Sequence, residues 1–198
     1  MSGVPENSIV ITKNITIKDN RLLRNSNSKL YLQWVLLSLI SGNQIQNSKG
    51  YGIYIEDSYF SNPKQITIIE NSLISNRYAI EIVSTFQVII EQNEIANNDV
   101  GLSIDYCTSS YMRNKTFLGN NKTALFRWFW FFSPIANICD KIPRFDKNFW
   151  DQNRKIPQPI IGRWYLLNPF IFPYVDILLG VTFDWNPAQG PYDILEMS

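Results

Sequence analysis

Apolar positions in this chain recur at two nested spacings. Within short segments they alternate, as in Ile53/Ile55, Ile80/Ile82, Leu102/Ile104 and Ala124/Phe126. That is the period-2 signature of strands with one buried side. The segments themselves repeat. Ile15 to Asn25 (ITIKDNRLLRN) and Ile66 to Asn76 (ITIIENSLISN) nearly superimpose. Anchored on one position per unit, the repeats begin at Asn20, Asn43, Asn71, Asn93 and Lys115, at intervals of 23, 28, 22 and 22 residues. Three residues before each anchor stand Ile17, Ile40, Ile68, Ile90 and Met112, and two after it stand Leu22, Ile45, Leu73, Ile95 and Phe117. Five after it come Asn25, Ser48, Asn76, Asn98 and Asn120, and eight or nine after it the small residues Ser28, Gly52, Ala79, Gly101 and Thr123.

Strands of three to five residues bury too little to stand alone, so they must stack. A fixed interval places equivalent positions above one another at about 4.8 Å. Ile then lies on Ile, and Asn on Asn at the corners, where amides bridge rung to rung. Small residues at the third corner admit the chain without a side-chain clash. The expected fold is all-β: a single-stranded right-handed parallel β-helix of about five 22-residue rungs. A leucine-rich repeat of similar period would need Leu columns and a helical segment, and neither is present.

After Phe126 the composition changes. Residues 127–198 hold five of the six Trp and eight of the ten Pro. Proline cannot donate to a ladder. The chain is therefore expected to divide into rungs at 1–126 and an aromatic, Pro-rich cap at 127–198 within the same domain. RWFWFF (Arg127 to Phe132) is expected to be the last strand or a plug over the open core.

The 27 Ile and 21 Asn agree with short strands and tight corners. The net charge of +1 gives no polyanion-binding balance, so nucleic acid is not an expected partner. No His is present, which removes Ser-His and Cys-His nucleophiles and the commonest zinc and copper ligand. Cys107 and Cys139 form no metal knuckle; one bridge or two buried thiols remain open. No metal or other cofactor is expected. The longest apolar run, Leu30 to Ile40, is about half a membrane span and reads as buried strands. The start lacks the basic and apolar regions of a signal peptide. Three sequons, at Asn14, Asn114 and Asn121, fit chance in so Asn-rich a chain.

The N-x-I-x-x-N-x-x-G-I-x-I rungs resemble those of NosD-like right-handed β-helix proteins, within the carbohydrate-binding and sugar-hydrolase group of the pectin-lyase superfold. The tail NFWDQNRKIPQPIIGRW (Asn148 to Trp164) and FDWNPAQGPYDI (Phe183 to Ile194) resembles the carboxy-terminal signature of prokaryotic surface β-helix proteins. The resemblance implies an extracellular or cell-surface setting and a polysaccharide or surface glycan as partner. Copper handling, implied for relatives from denitrification systems, lacks a ligand set in a chain with no His and three Met.

Sugar-cleaving β-helices use carboxylates as acid, base or metal ligand. Column counting places Glu56, Val83, Asp105 and Arg127 at one position of successive rungs, with Glu81 outward between Ile80 and Ile82. Glu56 and Asp105 then stand about 9.6 Å apart, near the range of an inverting pair. Were the chain a lyase, hydrolase or epimerase, Glu56, Glu81 and Asp105 would be its catalytic candidates. The 28-residue interval carries an insertion around Glu56, Asp57, Tyr59 and Phe60, acidic and aromatic residues suited to sugar rings and their hydroxyls. These four are the expected ligand-binding residues of a non-catalytic glycan-binding or structural module. The amino-terminal rung, Ile9 to Ile17, is expected to lie open. This suggests either end-to-end self-association or a carboxy-terminal piece of a longer exported protein.

Overall fold

The alternating segments do become stacked strands. In the computed structural model, the described residues are 12–25, 29–56, 65–85, 87–105, 107, 110–131, 144–150, 158–167, 175–184 and 187–188. Strands are labelled in chain order. A short parallel pair, β1 (Thr12–Lys13) with β5 (Val35–Leu36), edges one corner. The rest form three parallel stacks.

The first stack orders β2 (Thr16–Lys18), β6 (Leu39–Ser41), β9 (Ile66–Ile69), β12 (Val88–Glu91), β15 (Tyr111–Arg113) and β18 (Arg144–Asp146). The second orders β3 (Arg21–Asn25), β7 (Gln44–Ser48), β10 (Ser72–Ile74), β13 (Glu94–Ala96), β16 (Thr116–Leu118) and β19 (Phe149–Trp150). The third orders β4 (Leu30–Gln33), β8 (Tyr51–Glu56), β11 (Tyr78–Val83), β14 (Val100–Asp105), β17 (Lys122–Phe131) and β20 (Gln158–Leu167). One more strand, β21 (Val175–Asp184), runs antiparallel to β20 and meets β18 through Phe145 and Asp184. It thereby joins the first stack to the third at the carboxy-terminal end.

The parallel pairing does not stop at Phe126. Phe145 registers on Met112, Trp150 on Phe117, and Gly162 on Phe126. Residues 144–150 and 158–167 thus add a sixth rung, and the expected passage from rungs to cap at residue 126 falls inside β17.

The core is a set of columns. Ile17, Ile40, Ile68, Ile90, Met112 and Phe145 pair in sequence along the first stack. Leu22, Ile45, Leu73, Ile95, Phe117 and Trp150 do so along the second. Inner members such as Ile40, Ile68 and Ile95 are 0% exposed, whereas Leu22 in the first rung is only partly buried. Toward the carboxy end the columns turn aromatic: Phe117 stacks on Trp150 at 4.6 Å and 12°. The wider rings there fill a layer that Ile fills elsewhere.

Corners are held by two side-chain ladders. In the first, the backbone N–H and Nδ2 of Asn20 donate to Asn43 Oδ1, those of Asn43 to Asn71, and those of Asn71 to Asn93. Each amide lies at the anchor of its repeat, and Asn43, Asn71 and Asn93 are 0% exposed. The second ladder runs from Ser48 N–H to Asn76, then to Asn98 and Asn120. Burial makes these bonds matter, because every backbone group at a corner needs a partner away from water.

The residue just before each first-ladder anchor is left-handed: Asp19, Gly42, Glu70, Gln92, Asn114 and Lys147 all have φ between 52° and 64°. At the third corner the approach is close. A Cβ on Gly101 would sit 2.5 Å from the Thr123 carbonyl oxygen, so only glycine fits there without movement.

Two positions break the first ladder's pattern. Lys115 takes an anchor position, is 0% exposed, and its Nζ has no hydrogen-bond partner among the described residues. Its backbone N–H still donates to Asn148 Oδ1, which resumes the ladder. The ladder then ends on Asp184, whose Oδ2 accepts from Asn148 N–H, Asn148 Nδ2 and Trp150 Nε1 at 2.9 Å each.

Candidate functional site

In the third stack, Ile53, Ile55, Ile80, Ile82, Leu102 and Ile104 face the core. Tyr54, Glu56, Glu81, Val83, Ser103 and Asp105 therefore share the opposite, outward side. The strand register places Glu56, Val83, Asp105 and Arg127 in one column. Tyr31, Tyr54, Glu81, Ser103 and Leu125 fall in the column beside it. All three candidate carboxylates thus lie on one face of one sheet. Asp105 stands two strand spacings from Glu56, about 9.6 Å along the stack.

The outward side of this sheet is less wet than alternation predicts. Glu81 is 6% exposed and Asp105 4%. Outward direction does not make Glu81 a solvated surface acid: the hydroxyls of Ser103 and Tyr51 donate to it. Glu56 is bound on both oxygens, Oε1 by the Tyr31 phenol and Oε2 by the Tyr54 phenol at 2.8 Å. Asp57, Tyr59 and Phe60, expected beside Glu56 in a binding loop, lie outside the described residues.

Sequence reasoning passes over the tyrosines that organise this face. Tyr31 and Tyr54 stack at 5.2 Å and 15°. Tyr54 meets Tyr51 at 4.7 Å, and Tyr51 meets Tyr78 at 5.2 Å. The guanidinium of Arg77 lies 5.8 Å over the Tyr78 ring. Tyr31, at the outer end of the stack, is 57% exposed. Tyr51 and Tyr78 each directly precede a small corner residue, Gly52 and Ala79, and that alignment was the available signal.

Burial raises the Tyr54 phenol well above its ordinary 10.0, and its hydrogen bond to Glu56 adds to the shift. Tyr51 is raised by burial and then by Glu81. Both phenols stay protonated at any physiological pH and act as fixed donors to carboxylates. The result is an aromatic row edged by carboxylates at the stem of the 28-residue interval. Such a surface offers ring faces for apolar contact and acceptors for hydroxyl groups.

Other candidates are placed as follows. Cys107 is buried and free; its thiol donates to the carbonyls of Ile82 and Asp105, and burial pushes its pKa up to about 12. Cys139 lies outside the described residues. Among the described residues no cluster of three metal-ligating side chains is present, and no helix is long and apolar enough to cross a membrane.

Searches of curated proteins and of solved structures returned no match to this chain. A family model, the right-handed β-helix region, matches residues 3–121. Those residues take in the first five repeat anchors, Asn20 to Lys115, and the chain belongs to the right-handed β-helix family.

Proposed function

We propose that this chain is a non-catalytic, exported β-helix module that binds glycan on the outward face of its third stack. The observation that carries the reading is the row Tyr31, Tyr54, Tyr51 and Tyr78, in which the first three phenols donate to Glu56 and Glu81. The phenols tie up the carboxylates, which suits fixed acceptors better than a proton-shuttling pair. Loops between rungs are where solenoid proteins diversify their surfaces, and Glu56 ends the strand that opens the 28-residue interval.

A polysaccharide array, followed by calorimetry on any hit, tests this reading. Tyr31→Ala should abolish binding while leaving the unfolding temperature nearly unchanged, because Tyr31 is exposed. Tyr31→Phe should retain most of the affinity. Failure to find a ligand at millimolar concentration removes the proposal. A second reading, polysaccharide cleavage or epimerisation by Glu56, Glu81 and Asp105, is favoured by one observation: the register brings all three to one face. Release of reducing ends or unsaturated sugars by the chain, lost in Asp105→Asn, would replace the first reading with the second.

A further inference from the structure

We infer that the outward side of the rung formed by β2, β3 and β4 carries a docking surface for an anionic lipid membrane, centred on Lys18, Arg21, Leu23 and Arg24. The net charge of +1 hides a segregation along the solenoid. Among the described residues, 12–33 hold five cations, Lys13, Lys18, Arg21, Arg24 and Lys29, against one acid, Asp19. Residues 34–105 hold two described cations, Lys49 and Arg77, against seven described acids.

The two groups are used differently. Six of the seven acids have partners within the chain, such as Arg113 for Glu91 and Ser72 for Glu94, with Glu70 the exception. The cations are not so engaged. Lys18 meets Asp19 at 3.6 Å with both side chains exposed. Lys13, Arg21 and Arg24 are exposed and make no ion pair or side-chain hydrogen bond among the described residues. A second copy of the chain, its acids mostly held already, is a poor match for this rung. A surface that brings its own negative charge is a good one.

The placement of Leu23 makes that surface a lipid one. Leu22 packs on the core, so Arg21 and Leu23 share the outward side of β3. Arg24 follows at a left-handed corner with φ 50°, and Lys18 ends β2 across the preceding corner. Leu23, between the two arginines, is 40% exposed. The next rung sets uncharged Gln44 and Gln46 beside Arg21 and Leu23. The first acid in the Arg21 column is Glu94, three strand spacings or about 14 Å away. That exceeds the screening length of about 8 Å at physiological salt. Guanidinium forks suit headgroup phosphates, and an apolar side chain among them enters the acyl boundary. A soluble polyanion draws on the cations alone. The patch lies on the second stack, away from the tyrosine row, and does not rest on the glycan reading.

Co-sedimentation of the full chain with phosphatidylcholine vesicles, with and without phosphatidylglycerol, tests the inference. The chain should partition onto the anionic vesicles and not onto the neutral ones, and added salt should release it. Each Lys or Arg at an anionic surface is worth about fivefold in affinity, so Arg21→Gln with Arg24→Gln should cut partitioning about 25-fold. Leu23→Ser should also weaken it, whereas Lys122→Gln, an exposed cation four rungs away, should not. All these side chains are exposed, so the variants should keep the parent's unfolding temperature. No binding to anionic vesicles, equal binding to neutral ones, or binding untouched by the double arginine variant overturns the docking surface. Binding to soluble polygalacturonate as tight as to anionic vesicles, and unchanged by Leu23→Ser, overturns the lipid assignment in favour of an acidic glycan.

Discussion

Asn148 gives both its backbone N–H and its side-chain Nδ2 to a single oxygen of Asp184, at 2.9 Å each. The pair lies 36 residues apart in sequence and one rung apart in space. A chain of amides passing hydrogen bonds forward leaves one acceptor demand at its last member. A carboxylate meets that demand without bringing donors that would need partners of their own.

Asp184→Ala should therefore strand three buried donors, on Asn148 and Trp150, and cost about 3 kcal/mol or more. Asp184→Asn keeps an acceptor but adds an amide in a site that is 0% exposed, and should cost less. Urea unfolding followed by tryptophan fluorescence would rank the two; an alanine variant as stable as the parent contradicts this account.

Lys115 sits in the same column where an asparagine would continue the ladder. Desolvation by burial lowers its pKa well below 10.5, with Asp184 and Glu91 acting against that shift and Arg113 with it. The sign follows: between the depressed folded value and 10.5 the unfolded chain binds more protons, so stability rises with pH across that window. The limit is about 1.4 kcal/mol per pH unit. Lys115→Asn should flatten that slope and raise stability near neutral pH, since it also gives Asn93 a ladder acceptor. Thermal unfolding from pH 6 to 10 on both proteins checks it.

The Ile columns make a graded prediction. Ile68→Ala removes a 0% exposed side chain and should cost about 2–5 kcal/mol, whereas Ile17→Ala, in the outermost rung, should cost clearly less. Chemical denaturation of the two variants measures the gradient directly. Equal losses would mean that the first rung is as well covered as the third.

The tyrosine row has an alkaline signature. Tyr54 ionises above the ordinary 10.0 in the fold, so the stability it contributes is present below pH 10 and is lost as pH rises through the folded value. Ultraviolet titration should show a delayed phenolate step. Glu56→Gln should bring that step down only in part, because burial outweighs the Glu56 hydrogen bond as its cause.

Much of this fold is legible in sequence because its columns keep one chemical type. Ile40, Ile68 and Ile90 match, as do Asn43, Asn71 and Asn93, and counting alone aligns them. The sixth rung is harder to see because 33 residues separate Lys115 from Asn148. Yet Phe145, Asn148 and Trp150 keep the repeat's spacing of an apolar residue three before and two after the anchor. The tyrosine face escapes for the opposite reason. Its column reads Tyr31, Tyr54, Glu81, Ser103 and Leu125, so one identity holds for only two rungs before it changes. Tyr–Tyr contacts here span only two rungs at a time, and the hydrogen bonds join unlike residues, Tyr or Ser to Glu, whereas periodicity detects a column that keeps its type over many rungs. The left-handed corners are hidden too, since Glu70 and Gln92 carry no conformational signature of their own.

The unequal intervals have an evolutionary and engineering consequence. Ile68 registers on Ile40 across 28 residues as cleanly as Ile90 on Ile68 across 22. Closing a longer excursion costs only about 0.6 kcal/mol per doubling of its length, little beside the burial of one isoleucine. Chain length at a corner is thus nearly uncoupled from the order of the columns. New segments can be grafted after Glu56, and lengthened or exchanged, while the rungs above and below stay in step.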